Sequence, residues 1–246
     1  MLFRSRSSSR AALPSAAAID RAASRSSSSS WVVRSWRLTA ALKGSDGDAV
    51  AILQRAGVPM IDDKGKVRQY LFDGKKRGVK FDAGHGGGSF VFRQAVPAIR
   101  QGFIADTIST DLHVGSMNAG MKDMLNVMSK FLNMGMTVDD VIAKSTWAPA
   151  REIKREELGH LSVGAVADIS VIRMQTGQFG FVDVAGARLR GNKLLLAELT
   201  VKDGKVVWDR NGITRADWDS LGDYGTQGDP SWDGTLGGGT GRRRRR

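Results

Sequence analysis

The 246-residue sequence contains no cysteine and only three histidines. The absence of cysteine excludes disulfides, zinc sites built from thiolates and cysteine nucleophiles. Any metal ion in this chain must therefore be held by His, Asp or Glu. No run of 18 or more apolar residues occurs, so the sequence predicts no membrane-spanning helix. We expect a cytoplasmic protein.

The middle of the chain has little net charge, although the whole chain carries +12. Residues 1–50 and the five arginines at 242–246 contribute +5 each, and residues 51–241 contribute only +2. Basic ends of this kind can contact nucleic acid. A nucleic-acid-binding protein acting through its ends is therefore one alternative function.

Both ends of the chain have a biased composition. Residues 1–50 are rich in Ser, Ala and Arg, and residues 219–246 are rich in Gly and Arg. Such segments bury too little apolar surface to offset the entropy that is lost on ordering. We expect disordered basic ends. For residues 1–50, an organellar transit peptide and an out-of-frame gene beginning are alternatives.

The first part of the balanced middle region alternates between strands and helices. Residues 79–83 predict a strand, residues 90–101 predict a helix with Ser89 as its N-cap, and residues 106–111 predict a second strand. Strand, helix and strand in this order indicate parallel strands joined by a crossover helix.

Two more helices are predicted downstream. One of them has apolar residues at spacings of four, three, four and three positions, a pattern typical of a helix packed on a core. These residues are Met117, Met121, Met124, Met128 and Phe131. Thr137 predicts the N-cap of the next helix, because Asp139 and Asp140 in its first turn suit the helix dipole.

The pattern changes after Gly159 to short strands without long helices. Strands are predicted at 168–174, 179–184, 187–190, 195–202 and 205–209. Asp203 and Gly204 separate the last two and form a strong two-residue hairpin signal. This part of the chain therefore predicts an antiparallel β unit.

Three polar residues follow the ends of the two predicted parallel strands. Asp111 ends one strand and His113 comes two residues later, while His85 follows the other strand. Active sites of parallel α/β folds form at this edge. An isolated Asp-X-His is also typical of a turn or a cap, and His160 predicts a structural turn.

Several motifs then match one family in the family's own order. The runs FDAGHGGGSF at 81–90 and ISTDLH at 108–113 look like a seventh and an eighth barrel strand with their loops. MNAGM at 117–121, TWAPAR at 146–151 and GHLSVGAVAD at 159–168 continue the match. Together they resemble the metal-dependent amidohydrolases of the dihydroorotase and D-aminoacylase-like deacetylase branch.

The resemblance implies an α/β fold, namely the C-terminal part of a (β/α)8 TIM-type barrel followed by a small β-sandwich piece. Under this interpretation residues 51–158 form the partial barrel and residues 159–218 form the β-sandwich piece. The basic segments 1–50 and 219–246 flank them.

The resemblance also implies chemistry. Water activated by a divalent metal, usually zinc, hydrolyses an amide or cyclic amide C–N bond of a small molecule. Asp111 takes the roles of metal ligand and catalytic proton carrier. His85 and His113 take the role of substrate-binding residues.

Other residues of the family's metal site are missing. The family has a His-X-His pair after its first strand, a lysine on strand four and histidines on strands five and six, whereas all three histidines here follow residue 84. A full barrel needs roughly 200–250 residues. We therefore expect a truncated enzyme that binds zinc weakly, is weakly active or inactive, and can oligomerise. A non-catalytic, barrel-derived interaction protein is a further alternative.

Overall fold

The computed structural model describes residues 58–117 and 120–221. The predictions for residues 1–50 and for the arginine run at 242–246 lie outside this part of the chain. The described helices are α1 (Gln69–Lys76), α2 (Phe92–Arg100), α3 (Met124–Asn133), α4 (Val138–Ser145) and α5 (Trp147–Glu152). The described strands are β1 (Asp82–Gly84), β2 (Thr107–Ser109), β3 (Ile169–Val182), β4 (Arg188–Lys202) and β5 (Lys205–Asp209).

Strands β1 and β2 pair in parallel, with Ala83 opposite Ile108, and α2 connects them. The predicted parallel pair is confirmed, although both strands are shorter than expected. The carboxylate of Asp82 accepts hydrogen bonds from the hydroxyls of Thr107 at 2.6 Å and Ser109 at 2.5 Å. A side chain at the start of β1 thus holds the two strands in register.

The predicted N-cap of α2 is wrong. The helix begins at Phe92, and Ser89 lies before its first turn. The amide of Phe92 instead donates to the carboxylate of Asp183, at 2.9 Å. The first amide of α2 has no hydrogen-bond acceptor nearby in the sequence. A carboxylate 91 positions further along the chain provides one.

Helix α3 begins later than the methionine spacing predicts. Asp123 caps it by accepting from the amide of Asn126 at 2.7 Å, and such a cap contributes about 1 kcal/mol. Met117 is therefore outside the helix and half exposed, whereas Met121 and Met128 are buried. The predicted cap of the next helix is confirmed, because the hydroxyl of Thr137 accepts from the amide at the start of α4.

The segment after Gly159 forms an antiparallel three-stranded sheet in the order β3-β4-β5, as predicted. The strands predicted at 168–174 and 179–184 form one continuous strand, β3. Those predicted at 187–190 and 195–202 form another, β4. Strand β3 runs continuously past a register irregularity between Thr176 and Phe179. The predicted hairpin is confirmed, with Asp203 and Gly204 both in the left-handed region. Between Gly159 and residue 221 the described residues form this one sheet, and the β-sandwich stays a prediction.

Helix α3 packs on β4. The side chain of Asn133 accepts from the amides of Asn192 and Lys193, at 2.9 and 3.2 Å, and donates to the carbonyl of Lys193 at 2.7 Å. Phe131 of α3 and Leu195 of β4 are buried in the same apolar core. Helix α3 is thus one of the connections between the first part of the fold and the β unit, beside the cap that Asp183 gives to α2.

No helix among the described residues combines the length and the apolar character that crossing a bilayer requires. The cytoplasmic location stays a prediction.

Candidate active site

The glycine-rich loop after β1 is fixed to the end of β2. The amide of His85 donates to the carbonyl of Ser109 at 3.3 Å, and the amide of Gly86 donates to the carbonyl of Thr110 at 2.8 Å. Gly86 has a φ of +52°, which favours glycine. The two segments that carry the predicted site residues therefore lie side by side.

Asp111 lies directly after β2 and is exposed. Its φ of +50° is left-handed, a conformation that Asp tolerates better than most residues. One carboxylate oxygen lies 2.7 Å from the position that a Cβ on Gly86 would occupy. A residue with any side chain in place of Gly86 would displace this carboxylate.

His113 is held in a short turn beside the same loop. Its amide donates to the hydroxyl of the buried Ser116 at 2.8 Å, and its Nδ1 accepts from the amide of Gly115 at 3.2 Å. In the neutral ring the proton is therefore on Nε2. This Nε2 lies 3.6 Å from the position of a Cβ on Gly87.

His85 points into the protein core instead of towards the exposed edge. Its ring stacks on Phe90, with centroids 4.6 Å apart, and has no exposed surface. Nδ1 is 2.9 Å from the carbonyl oxygen of Gly86, and Nε2 is 2.7 Å from Nζ of Lys130. Burial, together with the positive charge of Lys130, lowers the pKa of His85 to about 4. The substrate-binding role of His85 stays a prediction.

Lys130 of α3 is fully buried and makes three hydrogen bonds. Besides the bond to His85, its Nζ donates to the carbonyls of Gly120 and Val182, each at 2.8 Å. Burial lowers the pKa of Lys130 to about 8, against the opposing effect of the Asp183 carboxylate. The lysine thus connects three separate segments of the chain.

Asp183 completes this buried polar cluster. Besides capping α2 through Phe92, its carboxylate accepts from the amides of Ala185 and Ala187, both at 2.9 Å. Asp183 therefore organises the β3–β4 turn. Its negative charge also compensates the positive charge of Lys130.

Sequence reasoning missed both Lys130 and Asp183. A signal for the lysine exists, because it lies three residues after Val127 and four before Met134, both buried. A charged residue on a buried helix face needs a partner. For Asp183 the sequence offers no such signal, because its main partner is an amide on a distant helix.

The comparisons with known proteins support the family resemblance. The amidohydrolase family matches residues 91–204, which include Asp111, α3 and most of the β unit. Residues 91–204 belong to the amidohydrolase superfamily.

Several relatives of this amidohydrolase segment are named deacetylases. One from Brucella anthropi is 36% identical over 139 residues, one from Agrobacterium fabrum is 34% identical over 139 residues, and one from Enterococcus faecalis is 31% identical over 138 residues. The matches cover 56%, 56% and 53% of this chain, and 35%, 34% and 37% of the relatives. The chain thus spans about a third of the length of these relatives.

Two solved structures resemble part of this chain in fold. An adenine deaminase matches with a TM-score of 0.58 and 28% identity, over 61% of this chain and 41% of that one. A dihydroorotase matches with a TM-score of 0.53 and 31% identity, over 61% of this chain and 42% of that one. Both support a mixed α/β fold of which this chain represents a part.

Amidohydrolases generally use divalent metals, so we tested whether the side chains fit one. Within residues 58–117 and 120–221, no three His, Asp or Glu side chains are grouped so that they could hold a metal ion. Asp111 is exposed, but Nε2 of His85 is bonded to Lys130. The described residues therefore do not make a complete zinc site, which needs three or four ligands.

Proposed function

We propose that Asp111 is the proton-carrying carboxylate of a hydrolase that cleaves a non-peptide C–N bond in a small amide or cyclic amide. The observation that carries this proposal is the exposed carboxylate at the end of β2, in contact with the glycine loop that follows β1. The names of the relatives, deacetylase and dihydroorotase, support the class of substrate.

The chemistry that this arrangement allows uses one carboxylate and one imidazole. Asp111 takes a proton from a water molecule while the water oxygen attacks the amide carbon. It then gives that proton to the nitrogen as the C–N bond breaks, so that one water yields an acid and an amine. Nε2–H of His113 donates a hydrogen bond to the substrate oxygen.

A divalent metal, for which we expect zinc, would polarise the amide oxygen and acidify the water. Asp111 would supply one oxygen ligand for it. Because the described residues do not complete the site, we expect turnover to be slow.

The proposal is tested by assaying the full-length chain at high concentration, with added zinc, on an N-acetyl amino acid and on a cyclic amide. We expect Asp111→Asn to lower any turnover by roughly 100-fold, the usual size of a general acid–base contribution. Asp203→Asn is the matched control, because Asn suits the left-handed turn at that position. Equal rates for the wild type and Asp111→Asn, above the rate without protein, would sink the proposal.

A further inference from the structure

Lys130 is the buried charged residue that connects α3 to the loop of the candidate site. We propose that Lys130 is a positioning residue, which acts through His85 to hold the glycine loop in the place where Asp111 rests against it. The inference concerns the same site as the proposed function and rests on it only for the role of Asp111.

The first step concerns why a lysine is buried here. A cation inside an apolar core is costly unless its hydrogen bonds are complete. All three N–H groups of Lys130 have acceptors, at 2.7 to 2.8 Å, on His85, Gly120 and Val182. A methionine could fill the same space without this cost. The ammonium group therefore makes hydrogen bonds in fixed directions to three acceptors. An apolar side chain could not make them.

The second step concerns the proton on His85. The carbonyl of Gly86 can only accept, so Nδ1 of His85 carries the ring proton. Nε2 then has a free lone pair, and the ammonium group of Lys130 donates to it. The hydrogen bond at Nδ1 thus leaves Nε2 unprotonated and able to accept. The Gly86 carbonyl and Lys130 favour the same tautomer, and the two bonds at opposite ring nitrogens hold the orientation of the ring.

The third step leads from the ring to the carboxylate. Nδ1–H of His85 holds the carbonyl of Gly86, and the amide of Gly86 is bonded to Thr110, the neighbour of Asp111. An oxygen of the Asp111 carboxylate lies 2.7 Å from the position that a Cβ on this same glycine would occupy. Lys130, His85, Gly86 and Asp111 form a continuous physical connection from the core to the exposed edge.

The first experiment uses the full-length chain labelled with ¹⁵N at histidine, in which three residues give signals. We expect the wild-type ring of His85, assigned by loss of its signals in His85→Gln, to carry its proton on Nδ1. In Lys130→Met, Nε2 loses its hydrogen-bond donor, so we expect the ¹⁵N signal of Nε2 to move to that of an unbonded acceptor nitrogen. An Nε2 signal that keeps its position in Lys130→Met would overturn the inference, because it would show that Nε2 accepts no hydrogen bond from Lys130.

Hydrogen exchange provides the second readout. In Lys130→Met we expect the Gly86 amide to exchange at least about 10-fold faster, relative to the Arg210 amide, which bonds to Glu198 in the β unit. Lys144→Met is the control, because Lys144 is a partly buried lysine on α4. Equal acceleration of both amides, or an equal effect of Lys144→Met, would show a role in general stability only.

Should Lys130→Met fail to fold, two histidine variants decide the question. His85→Gln keeps an acceptor for Lys130, whereas His85→Phe removes it and retains a ring beside Phe90. We expect faster Gly86 exchange in His85→Phe than in His85→Gln. Equal exchange in the two would overturn the inference.

These readouts do not depend on turnover. If Asp111→Asn leaves hydrolysis unchanged, the proposed function fails. The ¹⁵N signals of the His85 ring and the exchange rate of the Gly86 amide would still test the role of Lys130.

Discussion

Nζ of Lys130 lies 2.7 Å from Nε2 of His85, although the two residues are 45 positions apart in the chain. Both side chains are fully buried, and the contact joins α3 to the loop beside Asp111. A histidine that the sequence places at an active-site edge is thus part of the core in this structure.

We expect the chain to lose stability as the pH falls from 6.5 towards 4. Burial, with the positive charge of Lys130, lowers the pKa of His85 from 6.5 to about 4. The unfolded chain then binds a proton that the folded chain does not, so this stabilisation is complete above pH 6.5 and is lost towards pH 4. The loss is about 3 kcal/mol, measured by urea unfolding at both pH values.

His85→Gln serves as the comparison, because it keeps an acceptor for Lys130 and cannot titrate. Its unfolding free energy should fall less over the same pH interval. An acid dependence as steep as that of the wild type would show that His85 is not responsible.

Asp183→Ala should destabilise the fold strongly. It leaves the amides of Phe92, Ala185 and Ala187 without their acceptor and Lys130 without its nearby negative charge. We expect a loss of about 3 to 5 kcal/mol by urea unfolding at pH 7, because buried amides lose their acceptor at about 1 to 3 kcal/mol each and the buried Lys130 cation loses a compensating charge. The exposed Asp63→Ala should stay within about 0.5 kcal/mol of the wild type. Similar losses for both variants would refute the structural role of Asp183.

Gly86→Ala and Gly88→Ala should differ, although they are two positions apart. An alanine at 86 would have a left-handed φ and a Cβ 2.7 Å from the Asp111 carboxylate, whereas an alanine at 88 would meet nothing within 4 Å. We expect Gly86→Ala to cost about 1 to 2 kcal/mol and Gly88→Ala less than about 0.5 kcal/mol, by thermal unfolding. Equal costs would mean that Asp111 does not rest on Gly86.

Zinc should bind weakly to this chain. Within the part of the chain that the structure describes, no three suitable side chains are grouped as metal ligands, and structural zinc sites use four. Calorimetric titration should give a dissociation constant above about 1 µM, and a chelator should leave the melting temperature unchanged. A dissociation constant below about 1 µM would contradict this expectation. If Asp111→Asn weakened that binding and Asp203→Asn did not, the metal site would be more complete than the described residues indicate.

The β unit should cause self-association. Val171, Val207 and Trp208 expose between 44% and 59% of their surface, and exposed apolar residues on a sheet favour association. Sedimentation velocity should show species that grow with concentration, and replacing Val207 and Trp208 by lysine should reduce them. A single monomeric boundary at all concentrations would contradict this expectation.

The local features of the fold could be predicted from the sequence. The Thr137 cap, the turn at Asp203 and Gly204, and the place of Asp111 after its strand depend on residues a few positions apart. Periodicity, capping and turn chemistry act over this range. The parallel pair joins residues 25 positions apart, and it followed from the order strand, helix and strand. The family resemblance followed from the same runs, because their order along the chain is itself a sequence property.

Only the tertiary structure decided which partners the buried polar groups have. The Ser89 prediction was wrong because Asp183, 91 positions after Phe92, caps α2. Met117 was misplaced because α3 begins at Met124. The direction of the His85 ring depends on Lys130, which packing brings to it. A buried charge must find its partner in space, and no local pattern specifies which distant segment supplies it.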